Sequence, residues 1–181
     1  MKTSGLLLGV LLALLSGPVF SQSSFLDVAN TVNVPQMNGL GSFGGGVSFV
    51  DFNNDGWDDI TFCSQAGSPL RFYENNQGTY NEIYLNVPDD LSETKQVNWV
   101  DIDNDDDMDL FFTTHNAQSR LYENTGGFNF TDITISSGLN VNGIEAWAAS
   151  WGDMNNDGLL DVFICVKDDF GTSFNGLFMN N

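Results

Sequence analysis

The sequence predicts an all-β fold, a β-propeller built from blades of four antiparallel strands, incomplete, with about three blades. Three observations predict it. A nine-residue acidic loop occurs three times, starting at Asp51, Asp101 and Asp153, so the starts lie 50 and 52 residues apart. Each loop sits between two short segments rich in Val, Ile, Phe and Trp. No stretch beyond the first 21 residues has helical periodicity of useful length.

Residues 1–21 come first and stand apart. Lys2 opens them, Leu6 to Leu15 form an apolar run, and Val19-Phe20-Ser21 supplies small residues at a cleavage position. That pattern is a secretory signal peptide, and its apolar run is short for a membrane span. The remainder, 22–181, is expected to be a partial propeller that works outside the cytoplasm, with no membrane span after the signal. A first short strand is expected at Phe25-Leu26-Asp27-Val28-Ala29.

Three units then follow, roughly 44–85, 94–135 and 146–181. Each opens on a β-rich segment: Gly46 to Val50, Gln96 to Val100, Ala148 to Gly152. After the loop comes a second strand: Ile60 to Cys63, Leu110 to Thr113, Val162 to Cys165. These second strands are largely apolar on both faces, which suits burial between stacked sheets. A third strand follows at Leu70 to Glu74, Arg120 to Glu123 and Gly176 to Met179. Turns rich in Asn and Gly close it, and a fourth strand is expected at Tyr80 to Ile83 and Phe130 to Ile133. The third unit shows three strands. Propellers typically have four to eight blades, so the expected form is an open, curved stack from a larger propeller.

Composition narrows the function. The chain of 181 residues carries 24 Asp plus Glu against 5 Lys plus Arg, a net charge of −19. A phosphate backbone needs a positive surface, so nucleic acid is excluded as a partner. Disorder is excluded as well, because 41% of residues are hydrophobic and 15 are Phe. The three loops hold 13 of the 24 acidic residues. Two like charges ~4 Å apart cost roughly 4 kcal/mol at an effective dielectric of about 20. Carboxylates clustered in this way imply bound cations.

The spacing points to calcium, which takes six to eight oxygens and needs a sharp bend in a short loop. Positions 1, 3, 5 and 9 offer side-chain oxygens, position 7 a carbonyl, and position 6 is Gly in two loops. The expected ligands are Asp51, Asn53, Asp55, Trp57 by its carbonyl, and Asp59 in the first loop. They are Asp101, Asp103, Asp105, Asp107 by its carbonyl, and Asp109 in the second. In the third they are Asp153, Asn155, Asp157, Leu159 by its carbonyl, and Asp161. About three calcium sites follow. An EF-hand is excluded: position 12 is Phe62, Phe112 or Ile164, and the flanks are strands. Transition metals want His or Cys, and the single His115 lies outside every loop. Asp106 replaces the glycine of the second loop, in a position that needs positive φ.

The remaining candidates read as structure. Cys63, Thr113 and Cys165 occupy one position of the repeat, too far apart for a bridge, so the two cysteines are expected as buried thiols. Trp99 and Trp151 match Phe49 and are expected in the core. Trp57 and Trp147 read as rim residues, with carbohydrate stacking as the alternative. His115 reads as a surface loop residue, and Asp89, Asp90, Asp168 and Asp169 as solvated turn residues. Asn129-Phe130-Thr131 is a sequon.

The units resemble the FG-GAP/VCBS repeats of integrin-alpha-like propellers. The resemblance is carried by Phe43-Gly44-Gly45-Gly46 leading into Asp51-x-Asn53-x-Asp55-Gly56-x-x-Asp59, and by the two later loops. The opening Phe25-Leu26-Asp27-Val28 after a signal also resembles secreted bacterial and cartilage-acidic-protein-like members. The resemblance implies that each calcium loop joins the first two strands of a blade and stiffens one face. The expected function is a non-enzymatic, calcium-stabilised extracellular module for cell adhesion or for binding a protein or glycan. The alternative is an accessory propeller domain of a secreted enzyme, for example one acting on polysaccharide, whose catalytic part lies beyond Asn181.

Overall fold

A computed structural model describes residues 25–34, 45–88, 91–115, 117–139, 145–167 and 175–181. The expected signal peptide, Phe43-Gly44, and the pairs Asp89-Asp90 and Asp168-Asp169 lie outside the described residues. The described residues form antiparallel sheets and no helix. The first sheet has β1 (Val47–Val50), β2 (Asp59–Phe62), β3 (Arg71–Asn76) and β4 (Thr79–Ile83), in that order. The second has β5 (Glu93–Val100), β6 (Asp109–His115), β7 (Arg120–Asn124) and β8 (Phe130–Asp132). The third has β9 (Glu145–Gly152), β10 (Asp161–Lys167) and β11 (Gly176–Phe178). Each sheet is an up-and-down meander, the arrangement of a propeller blade.

Local chemistry explains the hairpins. β3 and β4 pair Asn76 with Thr79, leaving Gln77-Gly78 as a two-residue turn. Both turn residues have positive φ, 52° and 93°, and so match the right-handed twist of the strands. Arg71 on β3 and Glu82 on β4 meet at 2.8 Å, and Arg120 and Asp132 repeat that pair in the second sheet. The inner strands β5 and β9 start earlier than expected. Irregular register between Thr94 and Gln96, and between Cys165 and Val166, extends each of the two inner pairs.

Two cores hold the sheets together. Between the first and second sheets lie Phe52, Cys63, Phe72, Val97, Trp99 and Phe112 with their neighbours. Phe52 stacks on Trp99 at 4.8 Å, and Trp99 Nε1 donates to Thr61 Oγ1 at 2.9 Å. Between the second and third sheets lie Phe111, Leu121, Leu139, Ala149, Val162 and Ile164. Burying each Phe contributes about 1.5–3 kcal/mol. Gly46 lets the inner strands come together: its N–H donates to the Lys95 carbonyl at 2.8 Å. A Cβ there would lie 2.8 Å from that same oxygen, so only glycine fits without a shift.

Four expectations change. The strand expected at 25–29 is not formed; residues 29–33 make turns instead. Cys63 is buried but Cys165 is exposed, and both are free. Trp99 is buried as expected, Trp151 is half-buried, and Phe49 is exposed. β6 is buried on both faces, whereas β10 is covered on one. The common cause is the neighbour. Phe49 and Cys165 lie on the outer faces of the first and third sheets, where no other described sheet packs.

Candidate metal centres

The three acidic loops connect β1 to β2, β5 to β6 and β9 to β10. Their shape is set by their own carboxylates. Asp51 accepts the N–H of Asp55 on Oδ1 at 3.0 Å and of Gly56 on Oδ2 at 2.8 Å. Asp101 does the same for Asp105 and Asp106, and Asp153 for Asp157 and Gly158. The position 5 carboxylate accepts the N–H of position 7: Asp55 from Trp57, Asp105 from Asp107, Asp157 from Leu159. Each loop thus curls around its acidic oxygens. Position 6 has positive φ in all three, at 91°, 70° and 89°, so Asp106 adopts the conformation expected of the missing glycine.

Position 9 has a second task that spacing alone does not reveal. Asp59, Asp109 and Asp161 are buried. Asp59 Oδ2 accepts from Phe52 N at 3.2 Å and Oδ1 from Asn75 N at 2.8 Å. Asp109 accepts from Ile102 N and Asn124 N, and Asp161 from Met154 N and Asn180 N. One carboxylate therefore ties the loop entrance to the end of the third strand. Burial pushes the Asp59 and Asp109 carboxyls up to about 6, against the pull of those backbone N–H groups. Burial, and then the nearby Asp105 charge, also raises Asp103.

A metal must bring its ligands close together. Two oxygens at 2.3–2.6 Å from one calcium can be no more than about 5 Å apart. Asp101, Asp103 and Asp109 each present an oxygen within 4.8 Å of the others, the only such acidic group found among the described residues. The second loop therefore fits a metal ion. Position 3 separates it from the first and third loops, which carry Asn53 and Asn155. Asn53 Nδ2 is turned toward Glu74 at 3.1 Å, and Asn155 Nδ2 toward Asp157 at 2.7 Å. Those two side chains can offer only their carbonyl oxygens, which already accept the position 5 N–H.

Two features escape a ligand-spacing argument. Position 4 is Asn in every loop, with φ of 60°, 61° and 61°. Asn54 Nδ2 donates to the Asp106 carbonyl at 2.7 Å, and Asn104 Nδ2 to the Gly158 carbonyl at 3.0 Å. The loops are stitched side by side along one rim. The recurrence of Asn at position 4 was the available signal, since Asn tolerates the left-handed region. The second feature is a charged cluster at the opposite strand ends. His115 ends β6, with its side chain mostly buried, between Glu93 at 3.5 Å and Glu145 at 3.3 Å. Lys95 pairs with Glu93, and Lys167 with Glu145 at 3.8 Å. Both ammonium groups lie within 6 Å of the Trp147 ring. His115 is thus an inter-sheet contact rather than a surface loop residue. Trp147 is engaged by cations, while Trp57 is exposed on the rim.

A family model described as FG-GAP-like repeat matches residues 51–112 and again 101–164. The chain belongs to the FG-GAP-like repeat family. Each match opens on the first Asp of an acidic loop and runs into the second strand of the next sheet. The FG-GAP unit is thus phased on the loop, and neighbouring units overlap by the loop and the strand that leaves it. No curated protein matches the chain.

Proposed function

We propose that this chain is a secreted, calcium-binding β-propeller repeat module without enzymatic activity, used for extracellular adhesion or ligand binding. The convergence of Asp101, Asp103 and Asp109 supports the metal reading. Hard carboxylate oxygens and the absence of His and Cys from all three loops favour calcium over a transition metal. The rim of stitched loops offers a broad, acidic and exposed surface suited to an extracellular protein or glycan. The leader-like residues 1–21 support secretion. Among the described residues, no helix is long and apolar enough to cross a membrane.

Thermal unfolding in millimolar calcium, in magnesium and in chelator tests the reading. A ligand of the folded form alone stabilises by about 2.7 kcal/mol at a hundredfold excess over its Kd. Calcium is expected to raise the midpoint, magnesium much less, and Asp101→Asn to remove most of the gain. An equal midpoint in calcium and chelator would sink the calcium reading.

A further inference from the structure

The expected ligands of each acidic loop are positions 1, 3, 5, 7 and 9, and two of the residues between them meet a neighbouring loop. Asn54, at position 4 of the first loop, donates from Nδ2 to the carbonyl of Asp106, at position 6 of the second, at 2.7 Å. Asn104, at position 4 of the second, donates in the same way to the carbonyl of Gly158, at position 6 of the third, at 3.0 Å. The two bridges share donor position, acceptor position and direction. They span 52 and 54 residues of chain and join each sheet to the next.

Each end of a bridge stands inside a candidate ligand set. At the donor end, Asn54 lies between Asn53 and Asp55. The Asp55 N–H that follows it goes to Asp51 Oδ1 and Asn53 Oδ1, each at 3.0 Å. Asn104 lies between Asp103 and Asp105, and the Asp105 N–H goes to Asp101 Oδ1 at 3.2 Å. At the acceptor end, the Asp106 N–H goes to Asp101 Oδ2 at 3.2 Å and the Asp107 N–H to Asp105 Oδ1 at 2.9 Å. Gly158 and Leu159 repeat this with Asp153 and Asp157. The carbonyl that receives a bridge is thus flanked by N–H groups that carboxylates of its own loop hold. Both ends are in the left-handed region, with φ of 60° and 61° at Asn54 and Asn104, and 70° and 89° at Asp106 and Gly158. An ion that draws one set of carboxylates together fixes the peptide between them. It thereby fixes the point to which the neighbouring loop is tied.

We infer that Asn54 and Asn104 couple the three loops, so that a divalent cation bound in the second raises the affinity of the first and the third. Coupling of this kind rests on the calcium reading above and adds an order of events to it. The second loop, where three carboxylates converge, fills first. Its Asp106 carbonyl then holds Asn54, and with it the two candidate ligands on either side. Its Asn104 holds the Gly158 carbonyl of the third loop. Coupling is reciprocal, so filling either neighbour tightens the second loop by the same factor. Each bridge is one exposed hydrogen bond, so the expected coupling is roughly 3- to 10-fold in affinity per bridge. Repulsion between neighbouring cations acts in the opposite sense, and it is the same with or without the Asn side chain.

Calcium titration of residues 22–181, followed by NMR at the amides of Gly56 and Gly158, reads the first and third loops separately. Asp101→Asn removes a ligand of the second loop and is expected to weaken calcium binding at both neighbours. With Asn54→Gly also present, the weakening at Gly56 should shrink by roughly 3- to 10-fold, while that at Gly158 persists. Asn104→Gly should give the mirror result. Glycine keeps the left-handed turn without strain, so the change reports the lost side chain. A metal-free readout completes the test: in chelator, Asn54→Gly should shift the amide signal of Asp107, which shares its peptide with the Asp106 carbonyl. An unmoved Asp107 signal, or an equal effect of Asp101→Asn with and without Asn54, would overturn the coupling and leave the calcium reading standing. Amides of all three loops that ignore calcium would overturn both.

Discussion

Phe111 and Phe163 occupy the same position of the same strand in adjacent sheets, yet Phe111 is 1% exposed and Phe163 is 40% exposed. Thr113 and Cys165 diverge in the same way, one buried and one open. β10 is no less apolar than β6, and both pair with their neighbours in antiparallel ladders. The difference comes from across the sheet: among the described residues, β6 has a sheet on each face and β10 has one. A repeat protein is stabilised by such nearest-neighbour interfaces rather than by one central core. Position in the stack therefore decides what a residue is worth.

The largest expected effect tests this directly. Phe111→Ala should cost about 3–5 kcal/mol through a cavity between two sheets. Phe163→Ala should cost under about 1 kcal/mol, as surface changes do. Urea unfolding of both variants measures the contrast, and equal losses would show that β10 is covered in solution.

Next come the buried carboxylates. Asp109→Ala leaves the Ile102 and Asn124 N–H groups without their acceptor, a loss of about 2–4 kcal/mol for the two. Amide hydrogen exchange at Ile102 and Asn124 should accelerate selectively. If protection there is unchanged, the carboxylate does not tie the loop to β7.

The pH dependence is smaller and has a definite sign. The Asp59 and Asp109 carboxyls sit at about 6 in the metal-free protein, above the usual carboxylate value near 4. A raised value means the folded state holds the proton more tightly. The stability it confers is fully present below about pH 4 and is lost as pH rises through about 6, of order 2–3 kcal/mol for each group. Calcium requires the ionised form, so the calcium-loaded protein should instead gain stability across that window. Melting curves from pH 4 to 7, with chelator and with calcium, check the opposed slopes; parallel slopes would break the link between these carboxyls and the metal.

The smallest effect concerns position 3. Asp103→Asn should make the second loop resemble the first and weaken its calcium affinity by roughly tenfold, while Asn53→Asp should strengthen the first. Titration calorimetry reads both. If neither variant moves an affinity, charge at position 3 does not set the difference between the loops.

Much of the fold was legible because its signals are local. Acidic loops recurring between apolar segments announced antiparallel blades, and Gln77-Gly78 announced a hairpin. Asp106 was readable as a residue forced to positive φ because its neighbours in the repeat are glycines. The site was legible in part. Spacing brought the five oxygen-bearing positions of each loop into view, but it treated the three loops alike. It also missed that both oxygens of Asp59, Asp109 and Asp161 already receive backbone N–H groups from elements 7 to 19 residues away.

The sequence by itself determined the repeat, the strand order, the chirality-demanding turn positions and the acidic loops. Each of these depends on residues within a few positions of one another. Only the tertiary structure decided which copies of a position are buried, why Cys63 and Cys165 differ, and how His115 meets Glu93, Glu145 and Trp147. Those outcomes depend on what packs across a sheet, and no local pattern records the neighbour.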